Sequence, residues 1–245
     1  MTLPSEKCGP IVIELLALYD ELESVRYRPN NIRAGHLAHG WYMRVRRGVE
    51  AVLELEQAGL AGEAAPIRRS IIEHVIALKW LAAEGGSIVE TIKRGHKHGI
   101  EKLRASLIAA NWKSVDVDSF ATILAELEDA DPSRDNMLHF TNRARMYGVP
   151  DDIPQYYSET ALGHPSYESA IAFWELPAMT PLQFAPSVSQ MGFCMGWLLT
   201  ATLVFQDIFE PSLWPDQLIN LTARARAIDI DYRMENGMEI PAHYY

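Results

Sequence analysis

Of 245 residues, 48% are hydrophobic and 22% are charged, an ordinary globular balance with enough apolar side chain for a sizeable core. A formal net charge of -10 argues against a general nucleic-acid binder, which carries a basic excess. Two cysteines, Cys8 and Cys194, are too few for a disulfide framework or a thiolate-rich zinc site, which suits a reducing compartment. Met1 to Leu18 lacks a basic leader, and Glu14 interrupts its apolar run, so the expected location is cytoplasmic.

Helical periodicity dominates the chain and strand-like alternation is almost absent. A first helix is expected from Pro10, as its first residue, to about Val25, with Ile11, Leu15, Leu18 and Leu22 on one face. Arg28-Pro29-Asn30-Asn31 breaks the pattern, and a long second helix follows from Ile32 to Ala58, with Gly59 near its end. The third, Glu63 to Glu84, carries Pro66 in its first turn and stops at Gly85-Gly86. Ser87 is placed to cap a fourth helix reaching Asn111. Shorter helices are expected at Asp118 to Ala130, Ser133 to Tyr147 and Pro154 to Gly163. After a loop punctuated by Pro177, Pro181 and Pro186 come an apolar helix, Ser187 to Phe209, a last helix, Pro215 to Ile228, and a polar tail ending His243-Tyr244-Tyr245.

Met191 to Phe205 carries no charge, but it is shorter than the roughly 20 residues a spanning helix needs, and no Lys or Arg cluster flanks it. It reads as the centre of a helical core, with no membrane association. With no internal repeat and no linker, the expectation is one all-α domain over residues 1–245, a bundle of about eight to ten helices around a central buried helix.

The third helix is the candidate for that centre. Ile67, Ile71, His74, Leu78 and Leu81 form one stripe, and Arg69, Glu73, Ile76 and Trp80 a second, so apolar residues cover most of its circumference. Arg69 and Glu73, four apart, can reach each other. Tyr157, Thr160 and His164 make another polar set; on a continuous helix all three point one way. Pro165 then ends that helix and leaves His164 where the macrodipole favours an imidazolium.

Glu63-Ala64-Ala65-Pro66-Ile67-Arg68-Arg69-Ser70-Ile71-Ile72-Glu73, followed by Tyr157-x-x-Thr160-x-x-x-His164-Pro165-Ser166, resembles a helical bacterial family catalogued as domain of unknown function 5677. That family carries Arg-Ser-x-x-Glu and, later, Tyr-x-x-Ser-x-x-x-His-Pro-Ser. The matching positions are Arg69, Ser70, Glu73, Tyr157, Thr160, His164, Pro165 and Ser166, with a threonine at 160 that keeps the hydroxyl. The resemblance spans roughly Trp41 to Trp174. It implies a helical fold and a pairing of the two polar sets, and no activity.

The expected site therefore gathers Arg69, Glu73, Tyr157, Thr160 and His164. Glu73 and His164 are candidates for an acid–base or ligand-gripping pair, with Arg69 receiving an anionic group. A closed network that only fixes helix packing is the commoner outcome for such residues. The leading reading is a non-catalytic binding or interaction module with a polar network or small pocket around Arg69, Glu73 and His164. A small-molecule enzyme using Glu73 and His164 is an alternative.

A different alternative rests on Arg134-Asp135-Asn136-Met137-Leu138-His139, which resembles the Arg-x(4–6)-His pattern of HEPN-type ribonucleases. The resemblance implies a metal-independent ribonuclease or toxin-type effector, often working across a dimer, with Arg134 holding the phosphate and His139 moving the proton. Arg33 to His39 and Arg69 to His74 fit the same short pattern.

No metal site or cofactor is expected: His36 and His39, or Asp135 and His139, lack the companion ligands of known centres, and no Gly-rich phosphate loop occurs. Between Glu23 and Glu50 there is no acid but six arginines, Arg26, Arg28, Arg33, Arg44, Arg46 and Arg47, whereas Asp116 to Asp135 is acidic. The arginine segment is a candidate surface for RNA or an acidic partner. Its bland alternative is mutual neutralisation with the acidic stretch, within the chain or between copies in a homo-oligomer.

Overall fold

Cys8 extends the apolar stripe of Ile11, Leu15 and Leu18 by one turn, and its burial carries the first helix past the proline expected to start it. In the computed structural model, α1 (Ser5–Asp20) begins after Pro4 and holds Pro10 inside. The structure describes residues 3–22, 26–125, 131–182, 189–210 and 213–240. The expected helix limits at Val25, Ala130 and Ser187, together with Glu23, Pro186 and the last three residues, lie outside them.

A 3-10 turn, Pro29–Ala34, leads into α2 (Gly35–Gln57), whose buried stripe is Ala38, Tyr42, Val45, Val49 and Val52. The turn is tied to the far end of the chain: Tyr27 bridges Phe209, and Arg28 Nε donates to the Phe209 carbonyl at 3.0 Å. α3 (Ala65–Glu84) buries residues on nearly all sides and packs against α2 as well as three helices from the second half of the chain. Gly85 ends it with φ +63; a side chain there would also meet the Asn30 carbonyl at 3.0 Å.

Ser87 does not cap the next helix. It sits in a 3-10 turn, Gly85–Ile88, and its Oγ donates back to the Glu84 carbonyl at 2.9 Å, so α4 (Val89–Ala109) starts two residues later. α5 spans Ser119–Ala125. The single helix expected over Ser133 to Tyr147 is broken. Asp131 caps α6 (Pro132–Asp135), a 3-10 turn follows, and His139 is extended (φ -77, ψ 127) before α7 (Phe140–Tyr147). The break seats Leu138 against Gly95, where an added Cβ would lie 2.9 Å from the leucine.

α8 (Asp152–Gly163), α9 (Tyr167–Ile171) and a two-residue antiparallel hairpin, β1 (Trp174–Glu175) with β2 (Thr180–Pro181), follow. α10 (Met191–Gln206) is the apolar helix; it packs against α1, α2 and α3, with Tyr42 stacked on Phe205 at 4.2 Å and bonded to Thr202 at 3.2 Å. α11 (Pro215–Glu235) closes against α1 and α10. Among the described residues no helix is long and apolar enough to cross a membrane. One hydrophobic cluster joins α1, α2, α3, α7, α10 and α11, so the chain is a single-domain all-α bundle with α3 at its centre.

Candidate functional site

α8 lies on α3, and two ion pairs set where. Arg68 Nη2 is 2.8 Å from Glu159 Oε2, with side chains only 4% and 13% exposed, and Lys79 is 3.8 Å from Asp152. Arg68 also donates to the Ala61 carbonyl at 2.7 Å. At the end of α8, Gly163 fits against Pro66, where an added Cβ would come to 3.3 Å. Close approach at one end and charge pairing along the rest turn Tyr156, Glu159, Thr160 and Gly163 towards α3.

This leaves a cleft of about 200 Å³ whose lining includes Pro66, Arg69, Ser70, Glu73, Thr160 and His164. Arg69 is its hub. Its Nε donates to Glu73 Oε1 at 3.2 Å, and its Nη1 lies 2.8 Å from His164 Nε2. A guanidinium has donors only, so in this contact Nε2 is the accepting atom. The Arg69 carbon also lies 5.0 Å from the centre of the Tyr156 ring, whose own ring stacks on Phe140 at 3.9 Å. Thr160 Oγ1 is spent on the Tyr156 carbonyl at 2.8 Å.

Two expectations change here. Glu73 and His164 do not pair directly; Arg69 stands between them. Tyr157 is not in the cleft: it is 54% exposed and meets the Tyr156 ring edge-on at 5.6 Å, while Tyr156 takes the inward place. The helical spacing from Tyr157 to His164 fails because His164 has left the helix (φ -118, ψ 160). Its position is therefore set by the chain turn into Pro165 and not by helix phase.

Sequence reasoning missed Arg68, Tyr156, Glu159 and two further groups. Arg143, from α7, lies over the Trp80 ring at 5.8 Å. Burial lowers its pKa, the charge of Glu73 opposes that, and among the described residues its guanidinium forms no hydrogen bond or ion pair. His74 donates from Nδ1 to the Ser70 carbonyl at 2.7 Å. Burial holds its pKa below the ordinary value; that hydrogen bond and Glu73 oppose the shift, and Arg44 and Arg143 reinforce it. The adjacent pairs Arg68-Arg69 and Tyr156-Tyr157 each carried a signal, but neither says which member turns inward.

Arg134 and His139 are both exposed, and among the described residues neither side chain forms a hydrogen bond or ion pair. Asp135, between them in sequence, is committed to Arg94 at 2.8 Å in a pair joining α6 to α4. Among the described residues no three His, Cys, Asp or Glu side chains gather as a metal site would require. Burial pushes the Cys194 thiol up to about 12 and raises Cys8, so neither is a thiolate at neutral pH.

Part of the arginine segment is engaged locally. Arg28 bonds a backbone carbonyl, Arg33 pairs with Glu90 at 2.7 Å, and Arg46 with Asp20 at 2.7 Å. The described acids of the Asp116 to Asp135 stretch turn elsewhere: Asp118 lies 4.0 Å from Arg104, and Asp131 caps α6. Glu126, Glu128 and Asp129 lie outside the described residues. Compared with known proteins, the chain matches no family model, no curated protein and no solved structure.

Proposed function

We propose that the chain is a non-catalytic binding module that takes a small anionic ligand in the cleft between α3 and α8. The observation that carries this reading is the double engagement of Arg69. Glu73 and His164 both direct an acceptor at Arg69, so its guanidinium already sits among groups that take its hydrogen bonds. The same arrangement suits capture of an anion: a carboxylate or phosphate arriving at Arg69 takes over its donors and releases His164. Charge balance points the same way, since Glu159 is committed to Arg68 and Glu73 is left facing both Arg69 and Arg143. The resemblance to domain of unknown function 5677 belongs to this proposal, because its motif residues Arg69, Ser70, Glu73, Thr160 and His164 line this one cleft.

The test is calorimetric titration with acetate, the simplest carboxylate, on the wild type and on Arg69→Ala. Saturable binding is expected, weakened about 10- to 100-fold by the substitution, since hydrogen bonds to charged groups contribute about 1.5–3 kcal/mol. Equal binding by the two proteins, or none by either, overturns the reading.

A further inference from the structure

Beside the cleft, on the other flank of α3, runs an open groove of about 750 Å³ between α2 and α3. Its wall includes Met43, Arg44, Arg47 and Ile67, and it reaches Pro66 and Ser70, which line the cleft as well. The two hollows thus share a wall at the first turn of α3. Arg44 and Arg47 are three residues apart, so both guanidiniums project from one face of α2. Both are exposed, and among the described residues neither has a hydrogen bond or ion pair, in contrast to Arg28, Arg33 and Arg46 of the same segment. The field of Arg44 reaches His74, whose Nδ1 is already spent on Ser70.

We infer that the groove is a phosphate subsite, and that the ligand of the neighbouring cleft is a phosphorylated small molecule spanning both. This rests on the reading of the cleft as an anion site. The forked donors of Arg44 and Arg47 match the oxygens of a phosphate monoester, which a pair of arginines on one helix face can hold from two directions. Met43, Ala51 and Ile67 give the groove an apolar floor for a carbon skeleton. The other polar end of the ligand enters at Arg69. The groove's volume falls within the range of small-molecule sites. A nucleic-acid strand fits less well: no aromatic side chain lines the groove among the described residues, so bases have nothing to stack on. The chain's net charge of -10 also opposes a long polyanion.

Inorganic phosphate and acetate separate the two subsites by calorimetry on the wild type, the Arg44→Gln/Arg47→Gln variant and Arg69→Ala. Both arginines of the groove are exposed, so the double variant is expected to fold as the parent does. Phosphate should bind the wild type saturably and the double variant at least about 10-fold more weakly, with acetate binding unchanged. Phosphate binding untouched by the double substitution overturns the inference and leaves the cleft reading standing. Acetate binding untouched by Arg69→Ala, with phosphate still lost in the double variant, sinks the cleft reading and the shared ligand, and keeps the groove as a phosphate site alone. A short oligouridylate that displaces phosphate and binds more tightly than it, with a steep salt dependence, overturns the small-molecule assignment.

Discussion

Replacing Glu159 with alanine removes the carboxylate that faces Arg68 while leaving the guanidinium where it is, with a side chain only 4% exposed. Its remaining partner is the Ala61 carbonyl, and its Nε is already buried without one. Breaking a buried ion pair from one side costs about 3–5 kcal/mol, because the surviving charge is left desolvated. Glu159 is 13% exposed, so screening by water takes little from that figure. Urea denaturation followed by circular dichroism reads the cost as a lower midpoint at unchanged slope. The double variant Arg68→Met/Glu159→Leu is the informative control. Removing both charges with apolar side chains of similar size should recover most of the loss, since the wild-type pair leaves a donor unsatisfied. If Glu159→Ala costs less than about 1 kcal/mol, the pair is behaving as a solvent-exposed one, and α8 is not positioned by it.

Two further outcomes follow from the same geometry. His74 titrates below its ordinary value of 6.5 because it is buried, so the unfolded chain takes up its proton first as pH falls. Its contribution to stability is complete above about 6.5 and is lost as pH drops from there towards the folded-state value; His74→Gln should flatten that part of a stability–pH profile, and an unchanged slope would refute the assignment. His139→Ala should leave RNA integrity unaltered in a purified-protein assay. Wild-type cleavage abolished by that substitution would replace the binding reading with a ribonuclease.

What was legible in the sequence was what neighbouring residues decide among themselves. The period of Ala38, Tyr42, Val45 and Val49, the stop at Gly85 and the approach of Arg69 to Glu73 all depend on spacing within one helix, which backbone geometry sets. The charge-free run of α10 likewise announced a core helix, because no polar face was left to turn outward. Local patterning was weaker at ends and breaks. Pro10 lies inside α1 because burying Cys8 outweighs a proline's preference for the first turn, and Leu138 breaks a periodic stretch by packing on Gly95.

The site itself was decided between helices. Arg68 and Arg69 are adjacent and both reach α8, one at Glu159 and the other at Tyr156. Of Tyr156 and Tyr157 only the first turns towards α3, in a way the string of letters does not reveal. The choice belongs to the register of α8 on α3, set by Arg68 with Glu159, Lys79 with Asp152, and the contact of Gly163 with Pro66. Arg143 reaches Trp80 and the field of Glu73 from a third helix. Such contacts join residues tens of positions apart, so their geometry exists only once the helices have packed. The sequence determined which helices form and which residues could carry charge, because those follow from local backbone periodicity and side-chain chemistry. Only the tertiary structure decided which of those charges meet, because that depends on how one rigid helix is phased against another.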